Sequence, residues 1–221
     1  MMFIIIITYI VIALLYIKGV MNILLLCRAQ GQDQVYLNDS TYPRTVLYML
    51  SLLDVIFFTR LFRINKPLWL GEWLFHLSFI IVLLAHLRYI LVGLPSWWSH
   101  IVCMGKYAGL LMPLSLLYIL VVRASVDWRR YISPGNLCLI IILLIISVSG
   151  LLMRYIYRTD IVEVKRFMVG LFTFSFQPLP EGRLFMLHYL AGLVLLLYLP
   201  SHVLTAPVTI SEARRREGFR I

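Results

Sequence analysis

Long apolar runs separated by short polar segments dominate this chain. Five of the runs reach or approach the roughly 20 residues that a helix needs to cross the hydrocarbon core of a bilayer. They lie at about residues 3–26, 68–92, 106–122, 134–155 and 184–204. The pattern predicts an all-α fold, a polytopic membrane helix bundle with about five transmembrane helices. We expect residues 1–221 to form a single membrane domain.

Two further apolar stretches are not counted among the five predicted spans. Residues 45–62 form a shorter run that contains Asp54 and Arg60. Charges in a short apolar run are typical of an amphipathic helix at the membrane interface, which is the prediction here. A short sixth span is the alternative. In the loop at residues 157–182, the apolar middle at 167–176 predicts a cap folded over the bundle.

Composition and charge support a membrane protein over a nucleic-acid-binding one. Hydrophobic residues make up 62% of the chain and charged residues 14%, whereas a soluble domain is usually near half apolar and a quarter charged. The net charge is +10, and basic residues at helix ends set topology and contact anionic lipid headgroups. The three cysteines form no CxxC or CxxCH motif, which argues against a structural zinc site or covalent c-type haem.

Lysine and arginine placement predicts the orientation. With five spans, the first-to-second connection, the third-to-fourth loop and the C-terminal tail share one side, which carries about twice as many basic residues as the other. We therefore expect a multi-pass protein of the inner (cytoplasmic) membrane, with the N-terminus outside and the C-terminus cytoplasmic. The first apolar run lacks a basic leader and a cleavage site, so it is interpreted as a retained helix.

Four of the five histidines lie inside predicted spans: His76 and His86 on the second, His188 and His202 on the fifth. Ionisable residues in a bilayer are costly and mark function by default. A neutral imidazole is also a common axial ligand of haem iron. The first pair is separated by about 15 Å of helix rise and the second by about 21 Å, with Pro200 able to kink the last helix.

The antiparallel course of these two helices pairs the histidines by depth. His86 with His188 lies toward the outside, and His76 with His202 lies toward the cytoplasm. Two bis-histidine sites stacked across the membrane predict two b haems that pass electrons from one face to the other. The alternatives are a non-redox scaffold or transporter subunit, in which the histidines bond neighbouring helices, and a single-haem cytochrome b anchor. No nucleophile–base pair, phosphate loop or acid pair is evident, so a quinone half-reaction is the only chemistry expected of the chain itself.

Cationic residues near the outer pair suggest further contacts. Arg88 follows His86 by two residues, and Arg154 and Arg158 end the fourth span; all three are candidates to pair with haem propionates. Lys106 is a candidate donor to a quinone carbonyl. Topology anchoring explains the arginines equally well, and snorkelling to the interface explains the lysine. His100 follows two tryptophans of the outer loop and is interpreted as a surface residue.

Small residues recur near the histidines. Gly71 precedes His76, Gly192 lies one turn after His188, and Gly105 and Gly109 form a GxxxG pattern. Such residues indicate either close helix contact or room for the edge of a porphyrin, and the sequence does not separate the two readings.

The runs Trp-Leu-Gly-Glu-Trp-Leu-Phe-His, ending at His76, and His86-Leu-Arg-Tyr, with Leu-His188-Tyr-Leu-Ala-Gly and Leu-Pro-Ser-His202, carry a family resemblance. They resemble the gamma subunit of respiratory nitrate reductase. They resemble even more the cytochrome b subunits of heterodisulfide-reductase-like complexes, including those tied to sulfite reduction. The resemblance covers most of the chain.

The resemblance implies a dihaem cytochrome b subunit of a respiratory oxidoreductase. Such a subunit exchanges electrons between a membrane quinone, usually menaquinone, and a cytoplasmic iron–sulfur subunit of a hetero-oligomeric complex. Either menaquinone or ubiquinone is the expected substrate. Lys106 falls where nitrate reductase gamma subunits have a lysine near their quinol site. Those subunits place the last ligand one turn further, where this chain has Ala206, which favours the heterodisulfide-reductase-like branch. The segments 123–130 and 45–62 are the expected docking surface for the partner.

Overall fold

The structure, a computed structural model, describes residues 2–32, 43–131, 133–200 and 206–210, and every regular element in these ranges is helical. A 3₁₀ turn, Leu87–Tyr89, directly follows the fourth helix, and residues 206–210 are also helical. The longer elements are α1 Met2–Gln32, α2 Arg44–Phe57, α3 Thr59–Ile64, α4 Lys66–His86, α5 Trp98–Tyr131, α6 Pro134–Tyr155, α7 Ile161–Phe172 and α8 Arg183–Pro200.

Five helical segments are long and apolar enough to span a bilayer, which confirms the predicted all-α, polytopic membrane bundle. They are Met2–Leu25, Lys66–Tyr89, Trp98–Ser125, Pro134–Tyr155 and Arg183–Pro200. The fourth prediction, at 134–155, matches α6, which begins where the Ser133 hydroxyl accepts a hydrogen bond from the Asn136 amide, 3.2 Å away. Residues 201–204 of the fifth prediction lie outside the described residues.

Helix α5 extends beyond the third predicted span, 106–122, at both ends. Helix α5 begins eight residues earlier, because the chain turns directly into a helix after Pro95 and the Trp98 amide donates to the Pro95 carbonyl at 2.9 Å. The tryptophans that were interpreted as a loop therefore lie at the helix start. At its other end α5 continues to Tyr131, since charged residues end an apolar run without ending a helix.

Residues 45–62 form two helices instead of the one predicted. Phe58 has a left-handed backbone, with φ of 50°, which ends α2 and begins α3. Asp54 is only 2% exposed, and its carboxylate accepts a hydrogen bond from the Thr59 hydroxyl across this break. The buried aspartate therefore ties α2 to α3. The location of the pair at a membrane interface stays a prediction.

The chain divides into two compact units, one of residues 1–7 and 70–195, the other of residues 8–69 and 196–221. In the second unit, the Lys18 ammonium donates to the Leu197 carbonyl at 2.8 Å. The Trp69 indole donates to the Phe57 carbonyl at 2.7 Å, and its ring packs edge-on against Phe62. These contacts tie the start of α4 to α2 and α3.

In the first unit, glycines bring α4 and α5 into close contact. A Cβ on Gly71 would lie 2.8 Å from side-chain atoms of both Tyr118 and Ile119. A Cβ on Gly105 would lie 2.7 Å from the Cβ of Ala85, the residue before His86. At these two positions close helix packing is the correct interpretation of the small residues.

Helix α7, itself part of the first unit, packs its apolar face onto α8. Its Asp160 cap accepts a hydrogen bond from the Val162 amide at 2.7 Å. Phe167 is 1% exposed, and its ring contacts the rings of Phe185 and Tyr189 on α8 edge-on. Phe167, the first residue of the apolar segment predicted to fold over the bundle, therefore packs on α8, whereas Phe172, Phe174 and Phe176 are exposed.

Candidate functional site

The structure brings His86 of α4 and His188 of α8 together. Their ring centroids are 6.3 Å apart, and the ring planes are inclined by only 12°. These are the two histidines that the antiparallel topology pairs toward the outside. Their proximity shows that the two helices present imidazoles to each other at one depth of the bundle.

The spacing fits two imidazoles that share one metal ion. A metal–imidazole nitrogen bond is about 2 Å long, and the centre of a five-membered ring lies about 1.15 Å from each ring atom. Two rings on opposite sides of one ion would therefore have centroids about 6.3 Å apart. Two aromatic rings in direct contact also have centroids about 4.5–7 Å apart, so the centroid distance fits both arrangements.

Helix α4 orients the His86 ring through its own backbone. The Nδ1 atom lies 2.7 Å from the Val82 carbonyl, one turn earlier. Because a carbonyl only accepts hydrogen bonds, the proton belongs on Nδ1 and the lone pair belongs on Nε2. The bond therefore fixes the tautomer and leaves the lone pair of Nε2 available to a ligand.

Helix α6 orients the His188 ring from a neighbouring helix. Its Nδ1 atom lies 3.0 Å from the hydroxyl oxygen of Ser149. Ser149 is 2% exposed, and its hydroxyl also lies 2.6 Å from the Ile145 carbonyl. Since that carbonyl takes the hydroxyl proton, the oxygen accepts from Nδ1–H of His188. The available lone pair of His188 is then also on Nε2.

A small cavity of about 60 Å³ adjoins His86. It contains the side chains of two arginines, Arg88 from the turn after α4 and Arg154 from the end of α6. The Arg88 guanidinium stacks on the Tyr89 ring, with 4.5 Å to the centroid, and donates to its hydroxyl. Two cations beside an imidazole favour an anionic group such as a carboxylate. The lining residues are Val82, Ala85, His86, Arg88, Tyr89, Val102, Gly105 and Arg154.

The second predicted pair is described only at His76. Its Nδ1 atom lies 2.7 Å from the Glu72 carbonyl, so this ring has the same tautomer and the same one-turn backbone support as His86. The Glu72 carboxylate also accepts a hydrogen bond from Arg123 of α5 at 2.6 Å. His202 lies outside the described residues, so the pairing of His76 with His202 stays a prediction.

The other predicted site residues are not among those that line this cavity. Lys106 follows Gly105 on α5, and its side chain is exposed. Arg158 is exposed beyond α6, and His100 is exposed in the first turn of α5, as expected of a surface residue. A Cβ on Gly109 or Gly192 would meet nothing within 4 Å, so these two glycines are not explained by helix packing in this chain alone.

The sequence did not identify Ser149 and Gly150 as site residues. Serines and glycines are common in membrane helices, and nothing in the local pattern marks the ones that face a histidine. Across the described ranges, no group of three or more His, Cys, Asp or Glu side chains comes together to hold a metal ion.

Two curated relatives have the same printed name, Hdr-like menaquinol oxidoreductase cytochrome b-like subunit. The chain is similar to both. The protein from Archaeoglobus fulgidus is 28% identical over 190 residues, which cover 73% of this chain and 57% of that protein. The protein from Archaeoglobus profundus is 29% identical over 153 residues, which cover 62% of this chain and 45% of that protein. The chain thus spans about half the length of these relatives.

No family model matches the chain, and no solved structure matches it. The two relatives and the five apolar helices together support a multi-pass membrane protein. The similarity favours the heterodisulfide-reductase-like side of the sequence resemblance. The similarity to nitrate reductase gamma subunits rests on the sequence motifs alone.

Proposed function

We propose that the chain is a membrane dihaem cytochrome b subunit that transfers electrons between a menaquinone pool and an iron–sulfur partner. The observation that carries the proposal is the parallel pair of His86 and His188 rings, with centroids 6.3 Å apart. A b haem bound there supplies a one-electron redox centre inside the bilayer. The protein supplies the ligands, their orientation and the surrounding charges.

The residues of the first unit have separate roles in this proposal. His86 and His188 hold the iron through Nε2, and the Val82 carbonyl and the Ser149 hydroxyl fix their tautomers. Arg88 and Arg154 pair with the propionates in the adjoining cavity. The close approach of Gly105 to Ala85 holds α5 against the turn of α4 that carries His86.

A second haem between His76 and His202 completes the transfer path across the bilayer. The Glu72 carbonyl supports the His76 ring as Val82 supports the His86 ring. This placement puts the inner haem on the cytoplasmic side and the outer haem on the other, in accord with the orientation proposed from basic residues. Lys106 is the proposed donor to the quinone, on the outer side.

The names of the two relatives support menaquinol as the electron donor or acceptor. The iron–sulfur partner is proposed from the family resemblance, and it docks on the cytoplasmic side. Arg123 is unsuited to that docking surface, because it is half-buried and bonded to Glu72. The docking proposal therefore rests on residues 45–62 and on the charged residues that follow Arg123 on α5.

Haem analysis of the purified chain tests the proposal. Wild-type protein is assayed for haem by pyridine haemochrome, beside alanine variants of His76, His86, His188 and His202. We expect two non-covalent b haems per chain in the wild type and loss of one in each variant. His100→Ala is the matched control, since it removes an exposed histidine and should retain both haems. A haem-free wild type would refute the proposal and favour a scaffold or transporter subunit.

Haem reduction tests the electron-transfer part separately. The wild-type protein in proteoliposomes is mixed with a water-soluble menaquinol analogue under anaerobic conditions, and haem absorption is followed. We expect reduction of both haems in the wild type and slower or absent reduction of the inner haem in His188→Ala. If the menaquinol analogue leaves both haems oxidised, the haem assignment stands and the quinone assignment is overturned.

A further inference from the structure

Helix α6 contributes two adjacent residues to the surroundings of His188. Ser149 is 2% exposed, and its hydroxyl oxygen lies 3.0 Å from Nδ1 of His188. Gly150 lies beside the same ring. A Cβ at that position would be 3.2 Å from Cε1 and 3.6 Å from Nδ1 of His188. The Nδ1–Cε1 edge of the ring therefore lies against the Ser149 hydroxyl and the Gly150 backbone.

The two histidines of the pair differ in their supporting acceptor. His86 donates to the Val82 carbonyl of its own helix, which is fixed by the helix geometry. His188 donates to a side-chain hydroxyl of another helix. The Ser149 hydroxyl is itself oriented, because its proton is directed to the Ile145 and Ile146 carbonyls, 2.6 and 3.1 Å away. Its lone pairs consequently face the imidazole.

We infer that Ser149 is a positioning residue for His188, and that Gly150 provides the space in which the ring takes its orientation. The inference rests on the proposed function, since it concerns His188 as an iron ligand. A hydrogen bond from the second nitrogen of a ligating imidazole fixes the ring and raises its basicity. A more basic ligand stabilises the oxidised iron more than the reduced iron. Ser149 thus lowers the potential of the outer haem.

Removing the hydroxyl has a predictable effect. In Ser149→Ala, Nδ1 of His188 loses its side-chain acceptor, and the Ile146 carbonyl of α6 is the remaining hydrogen-bond partner of the ring. Loss of such a partner typically weakens metal binding about 10–100-fold. If the oxidised form loses about tenfold more affinity than the reduced form, the midpoint potential of the outer haem rises by about 59 mV. The inner haem, on other ligands, keeps its potential.

The test is a redox titration of the purified protein, combined with the rate of haem transfer to excess apomyoglobin. Ser149→Ala is expected to raise the outer potential and to release the outer haem about tenfold faster. Ser149→Thr keeps the hydroxyl and should restore wild-type values. Ser147→Ala is the matched control, since Ser147 is also buried on α6 but donates to the Leu144 carbonyl of its own helix.

The outcomes separate this inference from the proposed function. A wild type with two haems, and a Ser149→Ala variant with unchanged potential and release rate, would overturn the role of Ser149 and leave the function standing. Equal shifts in the alanine and threonine variants would also overturn it, because the hydroxyl would then be irrelevant. A wild type without haem would overturn both.

Discussion

The ion pair between Glu72 of α4 and Arg123 of α5 should stabilise the first unit measurably. The two charged atoms are 2.6 Å apart, and the side chains are only 15% and 18% exposed. Breaking a buried pair by removing one partner typically costs about 3–5 kcal/mol, because the other charge is left buried and unpaired. The residual exposure reduces this penalty, so we expect a loss of about 2–3 kcal/mol in Glu72→Leu or Arg123→Leu.

A double-mutant cycle isolates the interaction between the two side chains. The double variant, with leucine at both positions, leaves no unpaired charge and should lose less stability than the sum of the single variants. The expected coupling free energy is at least about 1.5 kcal/mol. Glu181→Gln, at an exposed loop position, is the control and should change stability by less than about 0.5 kcal/mol.

The assay is equilibrium unfolding of the detergent-solubilised protein, followed by circular dichroism and by haem absorption. For a chain of this size, a loss of about 2–3 kcal/mol corresponds to a decrease in Tm of roughly 5–10 °C. Additive effects of the two substitutions, with no coupling, would refute the reasoning. In that case Arg123 would be free to act in docking, as the sequence alone suggested.

Substitutions at a packed glycine and at the two cavity arginines test further contacts of the first unit. In Gly71→Ala, the new Cβ would lie 2.8 Å from Tyr118 and Ile119, so we expect a loss of about 1–3 kcal/mol on unfolding. In Arg154→Ala or Arg88→Ala, the cavity beside His86 loses one cation, so the outer haem should be reduced at a lower potential and held about tenfold less tightly.

Each of these has a control on the same or a neighbouring helix. Gly109→Ala places a Cβ in open space and should leave unfolding unchanged or slightly improve it. Arg158→Ala removes an exposed cation and should leave the haem potential near the wild-type value. Equal effects in the test and control variants would contradict the assigned contacts.

Hydropathy and topology predicted the parts of the structure that depend on long patterns. Five apolar runs give five helices, because a membrane-spanning segment must satisfy its backbone internally and be apolar throughout. The pairing of His86 with His188 followed from helix direction and depth. Helix α5 is longer than the predicted span because hydropathy reports where lipid contact is favourable, and a helix extends beyond that region.

Contacts between helices were less accessible to sequence reasoning. The roles of Ser149 and Gly150 depend on which face α6 turns to α8, and a serine at any other position of α6 has the same local signature. The glycines likewise fall into two groups that the sequence pattern does not separate. Gly71 and Gly105 contact neighbouring side chains, whereas Gly109 and Gly192 face open space. Only the packed structure distinguishes these cases.

The central claim is that His86 and His188 hold one haem between nearly parallel rings. Low-temperature electron paramagnetic resonance of the oxidised wild-type protein tests this most directly, since the low-spin ferric signal depends on the angle between the two imidazole planes. We predict a rhombic low-spin signal, as nearly parallel rings give, that is lost in His188→Ala while the signal of the inner haem is retained. A high-spin wild-type signal, or a rhombic signal that survives in His188→Ala, would contradict the account.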